Sequence, residues 1–222
     1  MKIGYLISIE TPGLWGIGKR GFEADILTHR CKIKDIEIPC IPSTSIKGVL
    51  RKTALQLSSL LQKANIITNT DIINKVFGKE GEAYTPLTLT DVIPVKDVEV
   101  AKKAFNEGIH VLMDNVIGIP VVTIPHVRID DKSLTAAKEA LFFEERLAIG
   151  VQLYGEIQLY DRLLKENEVV EAARILLLSL SDLRYRYIGR RTIVDVKIIG
   201  ILPSNLLEDE YVSFIYNSLS VR

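Results

Sequence analysis

The chain has 222 residues, with 28 basic and 28 acidic side chains that cancel to a net charge of zero. That balance excludes a wholly basic nucleic-acid coat, so any contact with nucleic acid must run along a local stripe. A hydrophobic fraction of 47% is enough to bury a core without cross-links.

Candidate stripes are Lys19 and Arg20, Lys32 and Lys34, Lys47 with Arg51 and Lys52, and the run from Arg184 to Arg191. No apolar run approaches the roughly 18 residues of a membrane span. MKIGYLISIE lacks the apolar stretch of a signal peptide. Cys31 and Cys40 are too few for a disulfide framework or a zinc site. Together these features predict a cytoplasmic protein in a reducing compartment, with no membrane partner.

In chain order, residues 1–10 alternate, with Met1, Ile3, Tyr5, Ile7 and Ile9 on one face of a half-buried strand. A glycine-studded loop follows. Residues 31–38 alternate again, as a short hairpin arm or edge strand. Ile46, Leu50, Ala54, Leu57, Leu61 and Ala64 then step by three or four, which predicts a helix opened by a Ser or Thr cap. A short helix over 71–77 stops at Gly78. Residues 87–95 read as a strand and 96–120 as an insertion with a short amphipathic stretch. Strands are expected over 121–129 and 148–160, a helix over 166–180, a strand over 192–201 and a helix over 207–219. The order strand, helix, strand, strand, helix, strand predicts an α+β fold with a ferredoxin-like βαββαβ core. It would be one domain over residues 1–222, with insertions at about 11–40 and 96–147.

Ser43 and Ser45 lie where the first helix begins, and free backbone N–H groups there make an anion site. Lys47 and Arg51 are four apart, so both project from one face, where their repulsion is unfavourable by a few tenths of a kcal/mol. Phosphate would remove that repulsion, and Gly48 between them would let a backbone come close. A solvated basic face is the competing reading. Arg184-Tyr185-Arg186-Tyr187 with Arg190 and Arg191 interleaves charge with rings that can stack on bases. The alternative is a helix end where the tyrosines cap the core. His126, Arg128 and Asp130 share one strand face. Gly16 to Gly21 matches G-x-G-x-x-G, but no helix is expected at its third glycine and no parallel βαβ series follows.

IPSTSIKGVLR, residues 41–51, resembles the IPGSSLKGxxR signature of the RAMP superfamily (repeat-associated mysterious proteins) found in type III CRISPR complexes. Val76-Phe77-Gly78 resembles the family's LFG, and Leu89-Thr90-Asp91 its following strand ending in Asp. His126 to Asp130, through Ala136, Leu141, Phe142 and Glu145, resembles its RIDRxTxxAxxxxLFxxE block. Ile188-Gly189-Arg190-Arg191-Thr192 stands where the family has a C-terminal glycine-rich loop. Ser43 replaces a family glycine, and Val194 and Val196 fall where the loop has others.

The resemblance implies a backbone subunit that binds CRISPR RNA and target RNA beside other RAMP subunits and a large polymerase-like subunit, and self-associates into a filament. RNA would be held by Ser43, Ser45, Lys47, Gly48, Arg51, His126, Arg128, Gly189, Arg190 and Arg191, with the hairpin around His126 and Arg128 acting as a thumb. Asp25 occupies the place of an aspartate that family members use for cleavage with Mg²⁺ or Mn²⁺; Asp35 is the alternative. The remaining readings are a non-catalytic backbone or cap subunit, and a metal-independent CRISPR RNA-processing ribonuclease using His29.

Overall fold

Ile3, Tyr5, Ile7 and Ile9 alternate along the first strand, and all four are buried in the main core. The computed structural model describes the chain apart from residues 17, 19, 20, 22, 23, 34, 80–84, 114–120, 130, 131, 134, 161, 163 and 222. In chain order its elements are β1 (Lys2–Ile9), β2 (Arg30–Ile33), β3 (Ile36–Pro39), α1 (Ser43–Lys63), α2 (Asp71–Phe77), β4 (Leu87–Leu89) and β5 (Ile93–Val95). There follow α3 (Val98–Glu107), α4 (His110–Met113), β6 (Val121–Ile129), β7 (Ala136–Leu147), β8 (Gln152–Leu159), α5 (Glu166–Asp182), β9 (Val194–Leu202) and α6 (Glu210–Leu219).

The main sheet runs β4-β8-β1-β9, with β5 also on β8, and every pairing is antiparallel. β1, α1, the β4–β5 segment, β8, α5 and β9 form the expected βαββαβ core in the ferredoxin-like strand order. α1 and α5 cover one face through Ile46, Leu50, Ala54, Ala173, Leu176 and Leu180. The β2–β3 and β6–β7 hairpins stand outside this sheet.

Five expectations are corrected. β1 is not half-buried: Gly4 and Leu6, on its second face, are buried too. α3 and α4 pack there, forming a second core of Leu6, Val95, Ala101, Ala104, Phe105 and Tyr154. Alternation in β1 carries no sign of this, because the covering residues come from an insertion far along the chain. Residues 87–95 form two short strands, broken where Thr90 Oγ1 accepts a hydrogen bond from the Glu156 N–H at 2.9 Å. The strand expected over 148–160 begins at Gln152, because Gly150 turns at φ +83° after β7.

The α1 N-cap is Pro42, with no side-chain cap. Neither Ser nor Thr is needed, because a carboxylate from elsewhere serves that end. Finally, Cys31 and Cys40 are joined as a disulfide, with Cα atoms 5.9 Å apart. Two cysteines suffice for one bridge when a hairpin brings them together, and the count-based case for a reducing compartment falls with this pairing. Among the described residues, no helix is long and apolar enough to cross a membrane.

The outer core rests on a close approach. A Cβ at Gly4 would meet the Phe105 ring at 2.6 Å, and one at Gly200 would also collide with it. Gly200→Ala should therefore destabilise the chain by about 1–3 kcal/mol. The same substitution in a Phe105→Ala background should be close to neutral, since neighbours in contact are not additive. Denaturant midpoints of the four proteins in this cycle measure the coupling; additive effects would show that the ring is not pressed onto the glycines.

Candidate nucleic-acid interface

The signature segment leads from β3 into α1. Ile41 pairs with Val92 by backbone hydrogen bonds of 3.0 and 2.9 Å, which sets Asp91 at the helix start. Its Oδ1 accepts the Ser43 N–H at 2.7 Å. The Ser45 and Ile46 N–H groups turn back to the Pro42 carbonyl, at 3.0 and 3.3 Å. A carboxylate thus already holds part of the positive helix end, and the cations of the segment stand on the flank of the helix.

On that flank, Lys47 Nζ donates to Thr85 Oγ1 at 2.7 Å and to the Leu87 carbonyl at 3.1 Å. Partial burial holds its pKa below the usual lysine value, and the charge of Arg51 adds to this. Gly48 is exposed, and among the described residues nothing outside the helix's own backbone lies within 4 Å of where its Cβ would be. An approaching phosphate would meet two cations that repel each other and a surface with no side chain in the way. Ser43, Thr44 and Lys47 line a cleft of about 430 Å³ against β4.

The C-terminal loop is a tight turn closed by Ile188 N–H to the Thr192 carbonyl at 2.9 Å and its reciprocal at 3.2 Å. Gly189 sits at φ +60°, where a Cβ would strike the Leu14 carbonyl at 2.7 Å; both facts require glycine. Arg190 N–H donates to the Leu14 carbonyl at 3.0 Å, locking the loop to the segment after β1. Trp15, His29, Ser45, Gly189 and Arg190 then line one cleft of about 420 Å³. Two motifs from opposite ends of the sequence meet there. Arg191 is exposed beside it.

In the basic-aromatic run, the tyrosines do not cap the core. Tyr185 and Tyr187 are 81% and 66% exposed. The arginines are the engaged groups: Arg184 pairs with Asp195 at 2.7 Å, and Arg186 pairs with Asp182.

The β6–β7 hairpin carries His126, whose ring stacks on Phe142 with centroids 5.3 Å apart. Beside them, Glu144 is completely buried and accepts from Arg146 at 2.6 and 3.1 Å and from Arg190. His126 Nε2 lies 3.1 Å from the same carboxylate. Sequence reasoning missed Glu144; the only signal was a strand position where Glu144 and Phe142 share a face. It ties the hairpin to the C-terminal loop.

Asp25 docks on the same strand. Its N–H donates to the Phe143 carbonyl at 2.9 Å, and its Oδ2 accepts the Phe143 N–H at 2.9 Å. Asp25 and the exposed Arg128 line a cleft of about 620 Å³. Among the described residues, Asp25 belongs to no group of three or more His, Cys, Asp or Glu donors. Gly16 bridges to Thr28 and Gly21 N–H bonds the Ala24 carbonyl at 2.8 Å, in place of a dinucleotide-binding helix. Lys19, Arg20, Lys34 and Asp130 lie outside the described residues.

A family model described as the RAMP superfamily matches residues 28–194. A chain of the "Type III-B Cmr-beta Cryo-EM structure of the Apo state" superposes with a TM-score of 0.62 at 14% identity, over 90% of this chain and 98% of that one. A chain of the "Cryo-EM structure of the Type III-B Cmr-beta bound to cognate target RNA" gives 0.59 at 14% identity, over 90% and 97%. At such identity the likeness is one of fold. No curated protein sequence matches the chain.

Removing a buried carboxylate that pairs two guanidinium groups leaves Arg146 without its partner in a half-dry site. Glu144→Ala should cost about 3–5 kcal/mol. Amide exchange in β7 and in residues 188–192 should rise together, read by mass spectrometry. Protection unchanged in both segments would show that the carboxylate does not join them.

Proposed function

This chain belongs to the RAMP superfamily, and from that premise we propose that it is a CRISPR RNA-binding backbone subunit of a type III effector complex that cuts guide-paired target RNA. The observation that carries the reading is the convergence of the first-helix motif and the C-terminal loop on one cleft, with Asp25 and Arg128 sharing another. The relative solved with cognate target RNA has the same fold, which supports RNA as the ligand.

In this reading, RNA backbone passes over Gly48, where Lys47 and Arg51 neutralise phosphate. Arg190 and Arg191 contact it from the loop, and Ser43 and Ser45 donate from the helix start. Tyr185 and Tyr187 offer rings for stacking. His126 and Arg128 meet the guide–target duplex from the thumb. Copies associate head to tail, since a heterologous interface that does not close makes a filament. Other RAMP subunits and a large polymerase-like subunit complete the complex.

Cleavage rests on Asp25. Mg²⁺ is commonly held by one or two carboxylates together with substrate phosphate, so Asp25 at a cleft shared with Arg128 fits as the protein's contribution to Mg²⁺ or Mn²⁺. Such an ion, when bound, stabilises charge on the transferring phosphoryl group. The Phe143 N–H fixes the Asp25 carboxylate, and Arg128 orients RNA beside it. His29 favours one rival: it lies in the cleft with Ser45 and Arg190, where a metal-independent processing ribonuclease would place an acid or base.

Lys47→Ala with Arg51→Ala should weaken RNA binding by at least about tenfold at low salt, similarly for unrelated sequences, because phosphate contacts carry no sequence information. Filter binding across a salt series measures it; an unchanged affinity would sink the α1 reading. Asp25→Ala should abolish regularly spaced cuts in target RNA while leaving RNA affinity intact, since the loss is confined to the chemical step, with Asp35→Ala as the active control. Cuts that persist in EDTA would favour His29. Cuts of full rate from an Asp25→Ala complex would leave this chain as scaffold.

A further inference from the structure

We propose that His29, Cys31, Cys40 and Asp91 form a zinc site when the two cysteines are reduced. The inference does not depend on the RNA reading. It starts from the register of the β2–β3 hairpin, in which Cys31 faces Ile38 and the Cys40 N–H bonds the His29 carbonyl at 2.9 Å. Facing residues project to one side of a ladder, and residues two apart share that side. Three donors therefore stand on one face of a short hairpin. The fourth arrives from the β4–β5 segment through the Ile41–Val92 pairing, which brings Asp91 Oδ2 to 3.4 Å from Cys31 Sγ.

The four donor atoms all lie within 4.8 Å of one another. Zinc–sulfur bonds of about 2.3 Å and zinc–nitrogen bonds of about 2.0 Å place tetrahedral donors about 3.3–3.8 Å apart. Parting the sulfurs from the roughly 2.0 Å of a disulfide by a little under two ångströms, and closing the widest of the other separations by about one, reaches that geometry. Cys31 and Cys40 are buried, while His29 and Asp91 are half-buried, so the donors converge from the inside with an entry path at the rim.

The disulfide state leaves a polar mismatch. A disulfide sulfur has no proton to donate, so the carboxylate oxygen beside Cys31 finds no partner in it. With zinc bound, oxygen and sulfur become ligands of one ion. Asp91 Oδ1 meanwhile keeps the Ser43 N–H, the outer hydrogen bond that orients a ligating carboxylate. Two thiolates and an imidazole select zinc over magnesium, which separates this site chemically from Asp25.

The interconversion balances with a dithiol reductant. The Cys31–Cys40 bond breaks as two electrons and two protons pass from the dithiol, which closes to its own disulfide. Zn²⁺ then displaces the two thiol protons and binds the thiolates. The ion ties the β2–β3 arm to the α1 start, because Asp91 touches both.

The full chain, reduced with excess dithiothreitol and desalted anaerobically, should show two titratable thiols and take up one Zn²⁺. Co²⁺ in its place should give thiolate-to-cobalt charge transfer and the intense visible bands of a tetrahedral site. Protein reoxidised with diamide should bind neither. Asp91→Asn, which keeps an acceptor for Ser43, and His29→Asn should each weaken Zn²⁺ binding by more than about tenfold. A readout free of substitutions guards against misfolded variants: a mercurial added to the zinc-loaded chain should release one Zn²⁺ per two thiols consumed. The proposal is overturned by a fully reduced chain that binds neither ion, or by zinc uptake that survives Cys31→Ser with Cys40→Ser. A disulfide that resists excess reductant in the native chain also overturns it.

Discussion

Everything in this fold hangs from β1, which is hydrogen-bonded along its length on both sides. Lys2 to Ser8 pair with Gln158 to Gln152, and Lys2 to Ile9 with Leu202 to Val194. A strand with two partners and both faces covered has no freedom of register, because a one-residue slip would exchange its faces. Here such a slip would drive Ile3, Tyr5 and Ile7 against Phe105 and pull Leu6 toward α1. The fixed register places the Ile9 end of β1, the start of β8 and the start of β9 at one end of the sheet. From that end spring the loop that carries Asp25, the β7 hairpin arm and the turn at Gly189, so the clefts lined by Asp25 and by Arg190 are a consequence of the central pairing.

Two carboxylates convert that arrangement into joints. Glu144 is fully buried and binds guanidinium groups from its own hairpin and from the C-terminal loop. Asp91 reaches from the β4–β5 break to the first N–H of α1, and lies against the cysteine hairpin. Both take polar groups that would otherwise be stranded in partly dry surroundings, where an unmade hydrogen bond costs about 1–3 kcal/mol. Each therefore holds segments far apart in sequence. The break in β4–β5 gains a reason: an unbroken strand would carry residue 91 past the helix start.

Much of this is legible in the sequence. The alternation of β1, the three-and-four spacing of α1 and the order of elements lead to the ferredoxin-like core, and IPSTSIKGVLR marks the helix flank where Lys47 and Arg51 stand. What stayed hidden shares one physical cause, contact between segments distant in the chain. The cover on the outer face comes from α3, and its trace in sequence is only the smallness of Gly4 and Gly200. Pro42 offers no side-chain cap, so Asp91 had to be found in space. A count of two cysteines carries no hint of their neighbours, whereas the hairpin register and a neighbouring strand supply His29 and Asp91. Glu144 and Glu145 are adjacent acids of the same type, and only one is completely buried.

The neutral charge of the chain is compatible with the proposed phosphate-binding surface because of how its cations are held. Arg184 and Arg186 pair with aspartates that are themselves partly exposed, and such surface pairs are worth about 0–1 kcal/mol. Phosphate can displace a partner held that weakly, which leaves the adjacent tyrosine rings free to stack. Arg190 differs, because its carboxylate is wholly buried and shared with Arg146, and a pair with a buried member is screened far less than a surface one. It stays fixed and presents its remaining donors from a set position. Lys47 differs again: among the described residues its partners are a hydroxyl and a carbonyl, neither of them an anion that phosphate would have to displace, and Arg51 raises the cost of leaving the flank unneutralised. The strongest demand for a phosphate thus falls on the α1 flank at Gly48, with the loop arginines as a rigid edge and an exchangeable reserve.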